Sequence, residues 1–343
     1  MRALTISEHG GLEQLQIRDD LPTPALRAPT DVRVRVRAAA LNHLDLFVVH
    51  GLPGVTIVPP WVMGADGCGV VEETGPEVRG VVRGDLVVIN PGISDRTCDF
   101  CRAGEQPLCL KYKLLGEHLP GTIAEYVVVP DVNLRRIPPA TDPVIAAAFP
   151  LATLAAWRMI HTRAQVRTGE RVLIWGIGGG VAIAALQICK QIGAEVWVTS
   201  SSPDKLARAR ELGADHTLDS RSDVAAEVRV QTGKAGVDVV IDNVGQATWD
   251  QSLKALGRSG RLVTCGATSG PKVETDVRRL FWNQWTIMGS TMGNDAEFDA
   301  IVRELSQGRL IPPVDRVLPL ERSLEAFQRL ESAGQFGKIV ITI

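Results

Sequence analysis

Two stretches of this 343-residue chain carry residues whose types and spacing could do chemistry. In the first, the strand-like run Arg171 to Trp175 opens into Gly176, Ile177, Gly178, Gly179 and Gly180, with Val181 beginning an apolar, helix-like segment. Glycines there allow a tight turn and let backbone N–H groups approach a pyrophosphate at the positive end of the following helix. A glycine turn that follows a strand, precedes a helix and begins a repeated βα pattern reads as a dinucleotide site. In the second stretch, Cys98, Cys101 and Cys109 crowd into twelve residues. Six cysteines are too few for a disulfide scaffold in a chain this long, so the crowding suggests a metal.

The choice of nucleotide depends on the tip of the second strand of the βα pattern. Glu195 lies 19 residues after Gly176, close to the spacing of a ribose-binding acid. It begins its strand, however, whereas ligands bind beyond the C-terminal ends of strands. At that end stand Thr199, Ser200, Ser201 and Ser202, with no carboxylate to repel a 2′-phosphate, and Lys205 follows as a point charge. Part of this pattern is plain capping, since Ser202 and Pro203 read as N-cap and N1 of the next helix. NADPH is expected in preference to NADH. Asn243, Val244, Gly266 and Ala267, at the ends of later strands, are expected to line the nicotinamide side.

The elements that must hold these residues fall into two textures. Up to about Ala140 the chain is strand-like and punctuated by Gly and Pro, with runs at 32–36, 69–75, 85–90 and 124–130. Many short strands with few helices predict a β-rich unit of antiparallel or barrel type. From 142 to 160 the pattern is helical, with Pro150 expected to end one segment before the next begins. Then strands at 171–176, 195–199, 237–242 and 261–266 alternate with helices at 181–193, 204–213 and 248–257, predicting a parallel doubly wound sheet. The final strand-like run, Gly337 to Ile343, is expected to return to the first unit.

Composition excludes several classes. With 45% hydrophobic and 22% charged residues the chain is neither disordered nor of low complexity. Lys and Arg (37) nearly balance Asp and Glu (39), so no basic surplus points to nucleic acid. No apolar run spans a bilayer and no signal-peptide pattern opens the chain, so a cytoplasmic enzyme acting on small molecules is expected.

With these residues in place, the chain resembles the medium-chain dehydrogenase/reductase superfamily. The resemblance rests on AALNHLDL at 39–46, MGADGCGVVEETG at 63–75, GDLVVIN at 84–90, GTIAEYVVVP at 121–130, PLATLAAW at 150–157, the glycine turn, DVVIDNVG at 238–245 and FGKIVITI at 336–343. It implies an α/β architecture: a GroES-like catalytic domain at 1–148 and 291–343, with a cysteine lobe at 91–113, and a Rossmann domain at 149–290. The active site is then expected in the cleft between the two. It also implies pairing of the 286–292 strand across a dyad, giving a homodimer or homotetramer.

The superfamily divides into zinc alcohol dehydrogenases and zinc-free quinone or enone reductases. Where the former carry a cysteine ligand this chain has Asn42, and where they carry Gly-His-Glu it has Gly64, Ala65 and Asp66. The neighbourhood of the third ligand, Pro150 to Thr153, offers neither sulfur nor imidazole, and the relay hydroxyl is replaced by Leu44. A catalytic zinc needs three protein ligands, and only Asp66 remains as a weak one. Asn42 matches the quinone-oxidoreductase branch, as does the spacing of Gly176, Gly179 and Ala182.

What this implies is NADPH-dependent reduction of quinones, enones or enoyl thioesters by direct hydride transfer. Negative charge collecting on the substrate oxygen would be held by a donor. Asn42 is the candidate donor, with loop shaping through backbone bonds as its other reading. His43 faces the cofactor's phosphates or ribose, or is structural, and Asp45 is a carboxylate beside the site. His118 is a further loop candidate. Asp95, Cys98, Cys101 and Cys109 resemble the structural-zinc lobe, with aspartate replacing the first cysteine. That lobe either holds structural zinc or persists by packing alone. An alcohol or aldehyde dehydrogenase with an atypical site, and a cofactor-binding protein without turnover, are the alternatives.

Overall fold

A computed structural model describes residues 1–343, which divide into two compact units, Met1–Leu151 with Asn294–Ile343, and Ala152–Gly293. The first unit is built on the long strand Asp31–Ala40, whose Val32, Val34 and Val36 point into the core while Arg33 and Arg35 turn outward. That alternation is the period-2 pattern of a half-buried strand. At Ala38–Ala40 every residue is buried. The strand pairs antiparallel with Asp66–Thr74, Tyr126–Pro130 and, at its C-terminal end, Lys338–Thr342. Seven strands form this sheet, and a smaller three-stranded sheet joins Ala3–Ile6, Gln16–Arg18 and Trp61–Val62. The C-terminal strand thus joins the sheet of the first unit.

Register fixes which residues meet. Ala40 faces Asp66 on one side and Val340 on the other. Continued two residues further, the second pairing sets Lys338 opposite position 42. The central strand ends there and the helix His43–His50 begins.

The second unit is a parallel six-stranded sheet in the spatial order His216–Asp219, Glu195–Ser200, Arg171–Ile174, Val237–Asp242, Leu256–Thr264, Thr286–Gly289. Numbered along the chain this is 3-2-1-4-5-6, the doubly wound order whose strand sequence reverses beside the first strand. Its core joins Leu173, Trp197, Val240, Leu253 and Leu262. Helices Gly180–Ile192 and Pro203–Glu211 connect the first three strands.

Two helical segments are separated at Pro150: Pro143–Ala147 closes before it, and Pro150 itself opens Pro150–Trp157. A proline lacks the N–H that a first-turn position would leave unpaired anyway, so helix starts tolerate it. No helix is long and apolar enough to cross a membrane.

Candidate functional site

In the first unit, the register brings Asn42, Asp66 and Lys338 together with almost no solvent exposure (8%, 0% and 4%). Lys338 Nζ donates to Asn42 Oδ1 at 2.6 Å and to Asp66 Oδ2 at 3.0 Å. Asn42 Nδ2 donates to the same Asp66 oxygen at 2.9 Å. The three side chains therefore close a ring of three hydrogen bonds. The other Asp66 oxygen accepts the backbone N–H of Leu151 at 2.8 Å. Asn42 also caps the following helix, and its N–H donates to Asp45 Oδ2 at 2.7 Å in a reciprocal capping box.

Asp45 is 1% exposed. Burial pushes its carboxyl up to about 7, against the lowering effects of the Asn42 N–H and the Lys338 charge, while Asp66 nearby raises it further. One ammonium stands among two carboxyl groups and is bonded to Asp66, which leaves Asp45 the less compensated of the two. Gly64, two residues before Asp66, has φ +97, and a Cβ there would lie 2.5 Å from Ile123 Cγ1. Only glycine fits this approach to the Asp66 strand. His43 is half-buried at the first helical position. His118 lies on a turn, where its Nδ1 accepts the Leu114 N–H at 3.3 Å beside the largely buried Glu117.

The glycine turn stands at the C-terminal end of the first strand of the parallel sheet. Gly176 has φ +73 and Gly178 φ +120. The Gly176 N–H donates to Thr199 Oγ1 at 3.2 Å, and the Ile177 N–H donates to the Thr199 carbonyl at 2.8 Å, so the turn is tied to the neighbouring strand tip. Gly179 is the N-cap of Gly180–Ile192 and uses no side chain, which leaves first-turn N–H groups for an anion. Asn243 and Val244 lie alongside: a Cβ on Gly176 would sit 3.5 Å from Val244 Cγ2 and 3.8 Å from Asn243 Oδ1. One on Gly266 would sit 3.0 Å from the Asn243 carbonyl, and Ala267 follows in the same loop. Buried Asp242 sets this edge by accepting the N–H groups of Val244 at 2.8 Å and Gly245 at 3.0 Å. The expected cofactor residues of the turn and the later strand ends therefore share one edge of the sheet.

Glu195 lies at the opposite end of its strand and bonds His216 Nε2 at 2.8 Å. At the tip, Ser200 Oγ accepts the Ser202 N–H at 3.1 Å, Ser201 is exposed, and Ser202 caps the helix that carries Lys205. Two residues at this tip were not foreseen. Asp219, paired in register with Ser200, is gripped by Arg221, which holds its carboxyl down at about 2. The strand that Asp219 ends is short and polar, Arg221 lies in the turn beyond it, and nothing local marked either.

In the cysteine lobe, one ligand atom each from Asp95, Cys98, Cys101 and Cys109 lies within 4.8 Å of all the others. A tetrahedral zinc spaces its ligands roughly 3.3–3.8 Å apart, so small side-chain movements complete the site. The donor set is supported from behind. Asp95 Oδ1 accepts from Thr97 N at 2.9 Å and Cys98 N at 3.0 Å, and Cys109 Sγ accepts from Asp95 N and Lys111 N, both at 3.4 Å. These bonds hold the Asp95 carboxyl below the ordinary carboxylate range, and backbone N–H groups, that of Cys101 foremost, lower the Cys98 thiol. Burial pushes the Cys101 thiol up to about 11. Cys68 and Cys189 are buried within a strand and a helix.

A β-rich unit and a doubly wound sheet with a dinucleotide turn define a nucleotide-dependent oxidoreductase. The model described as "Alcohol dehydrogenase GroES-like domain" matches residues 28–139, and that described as "Zinc-binding dehydrogenase" matches residues 180–307. The chain is 31% identical to an NAD-dependent alcohol dehydrogenase of Saccharolobus solfataricus over 99% of both chains. It is 30% identical to an acryloyl-coenzyme A reductase of Metallosphaera sedula over 100% of both. A crystal structure of an NAD-dependent alcohol dehydrogenase superposes with a TM-score of 0.95 at 44% identity, covering 100% of each chain. The chain belongs to the zinc-type alcohol dehydrogenase-like family of the medium-chain dehydrogenase/reductases, with a GroES-like unit and a Rossmann unit.

Proposed function

We propose that the chain is an NADPH-dependent reductase of α,β-unsaturated carbonyl compounds (quinones, enones or enoyl thioesters) that uses no catalytic metal. One observation carries this reading: the ring of Asn42, Asp66 and Lys338. Asp66 is already neutralised by an internal ammonium, Asn42 is a poor metal ligand, and Ala65 is none. Three protein ligands for a zinc with an open position are not assembled there. An amide donor beside a buried cation suits a different task, which is to stabilise negative charge appearing on an oxygen.

When bound, NADPH would supply hydride to the β-carbon of the acceptor, and water would supply the proton that the resulting enolate takes up at its α-carbon (or a reduced quinone at its oxygen). The amide of Asn42 would donate to the carbonyl oxygen and hold the charge that collects on it. First-turn N–H groups after Gly179 would hold the pyrophosphate, and Ser200, Ser201, Lys205 and Arg221 would meet the 2′-phosphate. Asn243, Val244, Gly266 and Ala267 would line the nicotinamide side, and His43 would contact the cofactor. The reductase relative supports an unsaturated acceptor, here an enoyl thioester among the possible substrates.

The relatives named as NAD-dependent alcohol dehydrogenases favour a second reading, alcohol oxidation with NAD⁺. Incubating the protein with each nucleotide and either a cyclic enone, a quinone or simple alcohols separates the two. Oxidation of NADPH by the unsaturated acceptors supports reduction, and alcohol-dependent NAD⁺ reduction overturns it. The lobe of Asp95, Cys98, Cys101 and Cys109 would hold a structural zinc with no part in the reaction. The strand Thr286–Gly289, at the open edge of the sheet, would pair with a second copy in a homodimer or homotetramer.

A further inference from the structure

The partners of the Asn42 amide dictate which way it points. An ammonium has donors only, so Lys338 must face the amide oxygen, and it does so at 2.6 Å. Asp66 Oδ2, which accepts from Lys338 at 3.0 Å, must face the amide nitrogen, and it does so at 2.9 Å. Reversing the amide would set N–H against ammonium and oxygen against carboxyl, two repulsions in a nearly dry site. One Nδ2 hydrogen is thus spent on Asp66. The other has only the Ala40 carbonyl, 3.5 Å away, at the outer limit of a hydrogen bond. A cation on the amide oxygen also withdraws electron density and strengthens that remaining donor.

We propose that Lys338 is the positioning residue of this site, fixing the Asn42 amide with its under-used N–H presented to the substrate oxygen and polarising it for that task. The inference rests on the reading of Asn42 given above. Lys338 touches no reacting atom in this scheme and acts wholly through Asn42. Its place in the chain, 296 residues from Asn42, explains why no local motif discloses it.

The test combines a substrate-free signal with a kinetic cycle. Selective ¹⁵N-asparagine labelling gives the Asn42 side-chain resonances, assigned by their loss in Asn42→Ala. In Lys338→Met they should move toward the position of an ordinary solvated asparagine, and in Lys338→Arg they should move less. With a cyclic enone, Lys338→Met should lower kcat about 10- to 100-fold with KM changed less than about two-fold, part of the loss from removing an oxyanion donor. In the Asn42→Ala background the same change should cost less than about two-fold, because its route is already gone. Lys338→Arg should recover part of the rate. If Lys338→Met leaves Asp66 unpaired and the protein unfolds, the pair Asp66→Asn with Lys338→Met removes both charges together, and the same readouts are taken as its difference from Asp66→Asn alone.

Equal losses in the two backgrounds, or an Asn42 resonance indifferent to Lys338→Met, overturn the positioning role. A wild-type protein that reduces no enone, while its Asn42 resonance still responds to Lys338→Met, overturns the substrate reading and leaves the orienting role of Lys338 standing.

Discussion

Replacing Asp45 by Asn should change how stability depends on pH, in a direction and by an amount that follow from the buried site. Asp45 is 1% exposed, and its carboxyl is pushed from 3.8 to about 7 by burial, only partly offset by the Asn42 N–H and Lys338. In the unfolded chain it titrates near its ordinary value, about 3.9. Between these values the folded protein holds a proton that the unfolded chain has released. Stability from this group is therefore greatest at low pH and is lost as pH rises toward about 7, with little further change above it. The limiting slope is about 1.4 kcal/mol per pH unit, so roughly 2–3 kcal/mol disappears between about pH 5 and 8.

Asparagine keeps an oxygen for the Asn42 N–H but has no proton to lose. The difference in stability between wild type and Asp45→Asn should therefore shift by that amount in favour of the variant across the range, while all other titrations cancel. Urea midpoints of both proteins at several pH values measure it, with Trp fluorescence as the signal. Two curves that stay parallel from pH 5 to 8 would refute the charge balance drawn here, in which Lys338 compensates Asp66 and leaves Asp45 exposed to the cost of burial.

Other outcomes follow from the remaining sites. Metal analysis of the purified protein should find about one zinc per chain, and Cys109→Ser should lose it and lower the melting temperature; full zinc content in Cys109→Ser would contradict the ligand set. Arg221→Ala should weaken NADPH binding about ten-fold and leave NADH binding nearly unchanged, as expected for a charge on the 2′-phosphate, and equal weakening of both would assign Arg221 to packing. Light scattering should give a dimer or tetramer. Phe281 and Trp282, 64% and 69% accessible, lie on the helix that precedes the edge strand, and a monomer at micromolar concentration would remove the edge-pairing claim.

The parallel unit was legible because its signals are local. The run Val237–Asp242 is β-branched and buried and coincides with its strand, and the glycine turn sits where the 3.6-residue period of Gly180–Ile192 begins. Elements without such a period were missed. His43–His50 is apolar on most of its faces and read only as a motif, while His216–Asp219 is short, polar and placed by its neighbour at 197–200. The buried site was legible in part. Asn42 and Asp66 could be singled out by the residues they replace, but Lys338 joins them only through the pairing of the last strand with the Ala38–Ala40 end of Asp31–Ala40. Local sequence holds no record of that register. Arg221 was hidden in the same way, because its partner Asp219 is brought beside Ser200 only by the pairing of their strands.

The most direct test of metal-free conjugate reduction is a single spectrophotometric comparison at 340 nm. Purified protein is given NADPH with a cyclic enone or an enoyl thioester, and NAD⁺ or NADP⁺ with primary and secondary alcohols, each with and without a zinc chelator. Nucleotide oxidation by the unsaturated acceptors alone, at a rate the chelator does not change during the assay, is the result expected from Asn42, Asp66 and Lys338. Reduction of the nucleotide by simple alcohols, abolished by the chelator, would contradict it.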